Sequence, residues 1–176
     1  MDKQILNWIT PFIEKRGPFN HVLELGSLDV NGAIKPAFVG TEHYTGLDMR
    51  EGPGVDIVCH AAELQHRQGL GKFDCIVATS FFEHDATFWE TLAGVHKLLA
   101  TGGWFVLTVP TPEWGYHAEP KDYYRFTTDA LRDVFFHRFD EVEIFNPLWP
   151  TNPEFPHLVS QHLGGWGRLK PFWPYP

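Results

Sequence analysis

Apolar positions recur along the chain with two spacings, and their alternation lays out a succession of helices and strands. Ile5, Trp8, Ile9, Phe12 and Ile13 follow i, i+3, i+4, i+7, i+8 spacing, which puts one apolar stripe on a helix stopped by Gly17 and Pro18. This helix is expected to lie on a sheet. Residues 21–32, HVLELGSLDVNG, run from Val22, Leu23 and Leu25 into Gly26 and a string of small polar residues. They read as a buried parallel strand feeding a tight turn, with Glu24 an acid near the strand end and Gly26 free to take a positive φ or approach a ligand closely. A short turn or helix over residues 34–38 precedes a second strand, His43–Asp48. A third short strand, residues 55–59, leads into a helix beginning near Ala61. Phe73–Thr79, FDCIVAT, is continuous and apolar and breaks at Ser80, which predicts a fourth buried strand.

Between residues 86 and 100, Phe88, Leu92, Val95, Leu98 and Leu99 form a helical stripe. Gly102 and Gly103 are expected to stop that helix and open a fifth strand over residues 104–109. Strands alternating with helices predict a parallel sheet. Beyond Pro110 the texture changes to an aromatic and proline-rich loop, residues 110–126, and a loop of this length inside a compact domain is more often functional than passive. Thr127 or Thr128 is placed to cap a helix reaching about Phe136, with Asp129 complementing its dipole. Residues 141–145 alternate as a strand, and residues 158–163 are expected to pair with it across a proline-rich turn, residues 147–156. The Pro/Trp-rich segment 147–176 ends in PFWPYP, which has no pattern that places it, and no internal repeat is visible.

Length and composition narrow the class. The chain has 176 residues and 43% hydrophobic content, enough for a full core, and one domain over residues 1–176 is expected. A formal net charge of -8 with scattered basic residues offers no electropositive stripe, so nucleic acid is not expected as a partner. The first sixteen residues carry charges on an amphipathic pattern, unlike a signal peptide, and no apolar run approaches the about 20 residues needed to span a bilayer. These features predict a soluble, cytoplasmic protein with no membrane partner; they assign no oligomeric state. Cys59 and Cys75 fall in different predicted strands and make no ligand spacing with the histidines, so both read as reduced core thiols. Ten histidines without HExxH or close paired spacing lead to an expectation of no metal.

A strand, a glycine turn and a helix form the nucleotide-holding unit of doubly wound folds, although Leu28 and Val30 stand where the second and third glycines of the dinucleotide fingerprint are expected. Asp48 ends the second strand about 20 residues after Gly26, where such folds present a carboxylate to ribose hydroxyls. Alternatively, Asp48 caps the turn over residues 49–54. Glu24 is either a salt-bridged strand-end acid or a carboxylate that binds a ligand ammonium by charge-assisted hydrogen bonds.

Over nearly the whole chain these segments resemble class I S-adenosylmethionine-dependent methyltransferases. VLELGSLDVNG resembles the family's first motif, YTGLDMR the second, FDCIVATSFFEH the fourth, and LLATGGWFVLTVP the segment around the fifth strand. HAEPKDYYRFTTDAL is similar to a segment found in a subset of these enzymes. The resemblance implies an α/β, doubly wound, Rossmann-like sheet with strand order 3-2-1-4-5-7-6 and strand 7 antiparallel. It implies S-adenosylmethionine as cofactor, with Glu24, Gly26, Ser27 and Asn31 around the methionine part and Asp48 and Met49 at the ribose and adenine. Ala61 and Glu63, with Thr79, Ser80 and Phe81, would surround the remainder. The chain departs from the family pattern twice: its glycine-rich loop is thinned to Gly26 and Gly32, and His60 stands where an acid commonly reads the adenine amino group. His60 accepts a hydrogen bond only as the neutral imidazole, and backbone groups near Ala61 are the alternative adenine reader.

The activity implied is methyl transfer to an oxygen or nitrogen of a small molecule. In-line displacement needs the acceptor held near ~3 Å from the methyl carbon in a site that excludes water, and a base where the acceptor carries a proton. His84, just past the fourth strand, and His117, Asp122 and Tyr123 in the long loop are the candidates. Each has a structural alternative: His84 packs or braces a loop, His117 is solvated, and Asp122 pairs with Arg125. Of Phe81, Phe82, Trp114, Tyr116, Tyr123 and Tyr124, two or three are expected to line a ligand cleft and the rest to be core. Two other functions remain open: a non-catalytic cofactor-binding or scaffold protein, and an NAD-dependent oxidoreductase, which the missing fingerprint glycines disfavour.

Overall fold

The apolar runs pair edge to edge in one sheet. In the computed structural model, which describes residues 3–30, 32–112, 114–118, 120–145 and 162–171, the strands are β1 (His21–Leu25), β2 (His43–Asp48), β3 (Ile57–Val58), β4 (Phe73–Thr79), β5 (Leu99–Pro110), β6 (Phe139–Phe145) and β7 (His162–Leu169). Their order is β3-β2-β1-β4-β5-β7-β6, with β7 antiparallel to both neighbours and β1 to β5 parallel. The α/β, Rossmann-like order implied by the resemblance is therefore present.

Because successive strand residues face opposite sides, each central strand feeds two cores. Val22, Cys75, Val77, Trp104 and Val106 pack with Ile9, Phe12 and Ile13 of α1 (Lys3–Arg16) on one face. Leu23, Leu25, Ile76, Phe105 and Leu107 pack with Leu92, Val95 and Leu98 of α2 (Phe88–Leu98) on the other. Continuous apolar runs in β1 and β4 are what a strand covered on both faces requires. Thr127 caps the following helix, its Oγ1 accepting the Ala130 N–H at 3.2 Å; that helix, α3 (Thr128–Ala130), continues as a π turn over Leu131–Phe135.

The boundaries differ from expectation where glycine carries the information. The helix after residue 86 ends at Leu98, and Gly102 and Gly103 lie inside β5. Gly102 has φ +77°, and a Cβ on Gly103 would stand 2.9 Å from the Ala100 carbonyl and 3.1 Å from that of Asp74. The pairing of β4 with β5 shifts at this point, so the glycines mark an irregularity in a strand rather than a helix stop. The seventh strand is His162–Leu169 rather than residues 158–163. Its sequence, HLGGWGRL, lacks alternation because Gly165 and Gly167 let it approach Phe136 and Phe139: a Cβ at either position would stand 2.9 or 2.8 Å from a phenylalanine carbon. β3 shrinks to two residues, and the helix near Ala61 is a single 3-10 segment, Ala61–Gln65. Residues 146–161 and the tail 172–176 lie outside the described residues. No helix among the described residues is long and apolar enough to cross a membrane.

Cys59 and Cys75 are free and buried. Cys75 lies in β4 and Cys59 directly follows β3, strands that stand three spacings apart, about 14 Å, against the ~7 Å between α carbons that a disulfide allows. Intact-mass analysis after unfolding in alkylating, non-reducing buffer is expected to show two adducts; none would contradict the strand order.

Candidate active site

Leu25 pairs with Leu47 on one side and Ala78 on the other, so the carboxyl ends of β1, β2 and β4 emerge together. They open into a cavity of about 1020 Å³, placed where doubly wound sheets take their ligands. Glu24, Gly26, Ser27, Asp48, Met49, His60 and Ala61 line one end, and Thr79, Ser80 and Phe81 line the middle. His84 and the long-loop residues Trp114, His117, Lys121 and Tyr123 complete the wall.

The turn after β1 is built by close approach. Gly26 takes φ +74°, and its N–H and that of Ser27 both donate to the Leu47 carbonyl, at 2.8 and 3.1 Å. A Cβ on Gly26 would stand 2.9 Å from Phe81 Cδ2, and one on Gly46 would stand 1.9 Å from the Gly54 carbonyl and 2.6 Å from Ser27 Oγ. Ser27 is buried and its hydroxyl has no hydrogen-bond partner among the described residues, an open polar valence at this end of the site. Glu24 is also buried; burial pushes its carboxyl up to about 7, partly offset by a 2.8 Å hydrogen bond donated by the Tyr44 hydroxyl. Burial likewise raises the Tyr44 phenol, which therefore stays protonated as the donor.

Asp48 Oδ1 accepts the Arg50 N–H at 2.9 Å, so the turn-capping role exists. A carboxylate has two oxygens, and this one also lines the cavity, so capping leaves room for a ligand contact. Met49 is 48% exposed at the cavity rim, and Ala61 is buried in its wall. Glu63 is not brought to the site. The 3-10 segment turns Ala61 and Leu64 inward, which leaves Glu63 exposed and outside the cavity lining. Asn31 lies outside the described residues.

At the other end the chain leaves β4 through Ser80, a non-glycine residue at φ 48° held by its N–H to the Thr108 carbonyl at 2.9 Å. That turn drives Phe82 into the core and buries Glu83 on the 3-10 turn Phe82–His84. The long loop docks on the same turn, the Glu83 carbonyl accepting the Tyr123 and Tyr124 N–H groups at 2.8 and 3.3 Å. Inside the loop, Asp122 accepts two hydrogen bonds from Arg125, at 2.5 and 2.6 Å, and the His117 N–H at 2.7 Å. Arg125 further donates to the carbonyls of Trp114 and Gly115. The Arg125 hydrogen bonds hold the Asp122 carboxyl down at about 2. Asp122 is thus the brace of the loop, and both its engaged oxygens and its low proton affinity remove it from the candidate bases.

His84 and His117 stack with ring centroids 4.9 Å apart. The Lys121 carbonyl can only accept, so the 2.5 Å contact from His84 Nδ1 puts the ring proton there and leaves the lone pair on Nε2. Burial lowers the His84 pKa, and the carbonyl contact opposes the shift. The Nε2 atoms of His84 and His117 lie 3.6 and 3.9 Å from Glu83 Oε1. Those distances are too long for hydrogen bonds, and neither Glu83 oxygen has a partner among the described residues. Burial pushes the Glu83 carboxyl up to about 8. Glu83 is the site residue that sequence reasoning missed; its signal was an acid within the apolar stretch SFFEH directly after a buried strand. The spacing rule that led to an expectation of no metal does not see this cluster, because loop docking rather than sequence spacing assembles it.

Among the aromatics, Phe81, Trp114 and Tyr123 line the cavity. Phe82 is core, Tyr124 packs against the core with its hydroxyl donating to the Ala86 carbonyl, and Tyr116 is 79% exposed.

A family model described as Methyltransferase domain matches residues 2–151. No curated protein sequence matches the chain. Solved structures resemble it across nearly its full length. The N-methyltransferase NodS from Bradyrhizobium japonicum WM9 is 16% identical with a TM-score of 0.65, each chain covered over 96%. A SAM-dependent methyltransferase from Archaeoglobus fulgidus is 14% identical with a TM-score of 0.68, over 94% of this chain and 93% of that one. The Burkholderia thailandensis 1,6-didemethyltoxoflavin-N1-methyltransferase, solved with 1,6-didemethyltoxoflavin and S-adenosylhomocysteine, is 19% identical with a TM-score of 0.65, over 96% and 80%. At these identities the likeness is one of fold.

Proposed function

The chain belongs to the methyltransferase-domain family and is an S-adenosylmethionine-dependent methyltransferase, and on that premise we propose that it methylates an oxygen or nitrogen of a small molecule held at the His84 and His117 end of the cavity. The observation that carries this reading is the pairing of two acids with two histidines across one cavity. Glu24 and Asp48 end adjacent strands at one side, and His84 and His117 face the same space from the other.

The residues fit the cofactor. Gly26 gives a turn whose backbone a ligand can approach, and the open Ser27 hydroxyl supplies a polar valence. Glu24 would receive the ammonium of the methionine part, and Asp48 the ribose hydroxyls. Phe81 presents an aromatic wall beside the Gly26 turn. When bound, S-adenosylmethionine supplies a methyl group already activated as a sulfonium. The protein's share is then to hold, align and dry. Trp114 and Tyr123, fixed by the Arg125 and Glu83 backbone ties, wall the acceptor end against water. The neutral Nε2 of His84 offers a lone pair there to position the acceptor or take its proton. A small-molecule acceptor is supported by the cavity volume and by the absence of a basic stripe in the sequence.

S-adenosylhomocysteine at about 100 times its dissociation constant is expected to contribute ~2.7 kcal/mol and to raise the melting temperature by roughly 5–10 °C, with no shift from NAD. A shift with NAD and none with the sulfur ligand would overturn the proposal. Asp48→Ala is expected to lower S-adenosylhomocysteine affinity about 100-fold by calorimetry, each charged hydrogen bond to the ribose being worth ~1.5–3 kcal/mol; an unchanged affinity would leave Asp48 with turn capping alone.

Glu24 pairs with a ligand ammonium only when ionised, and its carboxyl sits near 7. Protonation below that value must therefore be reversed on binding, so S-adenosylhomocysteine affinity is expected to fall by up to about tenfold per pH unit below 7 and to level off above it. Glu24→Gln is expected to bind more weakly and without this pH dependence. A wild-type affinity that is flat between pH 5.5 and 8, about the span in which the group titrates, would show that Glu24 does not meet the ammonium.

A further inference from the structure

We propose that Glu83, His84 and His117 form a binding site for one divalent transition-metal cation at the acceptor end of the cavity, and, resting on the methyltransfer reading, that the acceptor is an oxygen-bearing molecule able to join that cation's coordination shell. Each residue offers one ligand atom, and the three atoms lie within 4.8 Å of one another. Glu83 is 0% exposed, yet neither of its oxygens meets a hydrogen-bond donor among the described residues. A buried carboxyl left this way calls for an explanation. The neighbours at 3.6 and 3.9 Å are too far to share a proton with it. These two separations are close to the about 3.4 Å between ligands that metal bonds of ~2.1 Å impose in a tetrahedral site, and the triad, within 4.8 Å throughout, draws in around a bound ion.

Each donor is also aimed from outside. The Lys121 carbonyl fixes the His84 tautomer, and a ligating histidine ordinarily hands its second ring N–H to a group of this kind. Asp122 holds the main chain of His117, and Tyr123 and Tyr124 clamp the main chain of Glu83. Two imidazoles and one carboxylate suit zinc, manganese, iron or cobalt rather than magnesium or calcium, which prefer all-oxygen shells. His84 and His117 both line the cavity, so the remaining coordination positions face it. Oxygen lone pairs complete such a shell and lose proton affinity in doing so, so the bound cation takes over the positioning and deprotonating work that the His84 lone pair does in the metal-free site.

The test uses the full-length, metal-stripped chain and Co²⁺ as probe, followed by visible absorption and equilibrium dialysis. One Co²⁺ per chain is expected, with affinity falling by at least about 100-fold in Glu83→Gln and in His117→Ala. Glu83→Gln is near-isosteric and His117→Ala lies in a surface loop; in both, S-adenosylhomocysteine affinity is expected to stay within about twofold, which also certifies the fold. Acetohydroxamate, a bidentate oxygen ligand, is expected to change the spectrum of the cobalt-loaded wild type. No binding at millimolar Co²⁺, or binding that survives both substitutions, overturns the site, and a spectrum unmoved by acetohydroxamate overturns the open positions. A wild-type chain that binds Co²⁺ but not S-adenosylhomocysteine would instead remove the methyltransfer reading and leave the metal site standing.

Discussion

The parallel register that sets Leu25 beside both Leu47 and Ala78 is the constraint from which the site follows. It brings three strand ends to one edge, and the space between them is tolerable only because the backbone there is stripped of side chains. Gly46 leaves no room for a Cβ between the Gly54 carbonyl and Ser27, and Gly26 leaves little against Phe81. A substitution at Gly46 would push the β1 turn away from β2 and separate Glu24 from Asp48. The glycines thus hold the cavity's shape, and the acids between them supply its chemistry.

Behind the residues that wall the opposite end stand two carboxyls with opposed proton affinities. Asp122, bonded twice to Arg125, is held near 2, whereas Glu83 is pushed by desolvation to about 8, its own backbone N–H and the Arg125 charge opposing only in part. The contrast follows from hydrogen bonding to the charged form in one case and burial in the other. It divides their work. The ionised Asp122 ties the loop into one body with Arg125, Trp114 and Gly115, and that body presents His117 to Glu83. The backbone of Glu83 holds the loop in place, so the residue with the open carboxyl is also the loop's anchor.

What was legible in the sequence tracks how local each signal is. β2 and β4 are legible with their observed ends, and β1 within its segment, because strands buried on both faces are continuous apolar runs, whereas the strand order is legible only through the family resemblance that the motifs carry. Asp48 reaches the cavity lining because strand-end acids have a fixed relation to the glycine turn. β7 was misplaced because its glycines answer to Phe136 and Phe139, which are remote in sequence. Glu63 was carried to the site by motif position, and the inward turn of Ala61 and Leu64 leaves it outside. Asp122 reads as a candidate base by its place in the long loop, and Arg125, three residues on, takes up both its oxygens instead. The Glu83, His84 and His117 cluster had no spacing to reveal it, since docking of the long loop creates it.

The central claim is that one end of the cavity holds the cofactor and the other admits the acceptor. A crystal structure of the complex with S-adenosylhomocysteine tests it most directly. The ribose hydroxyls are expected on Asp48, the amino group at Glu24, and the sulfur turned toward His84 and His117 with open space beyond it. A ligand bound away from these acids, or a sulfur sealed against protein atoms with no path to the histidines, would contradict methyl transfer at this site.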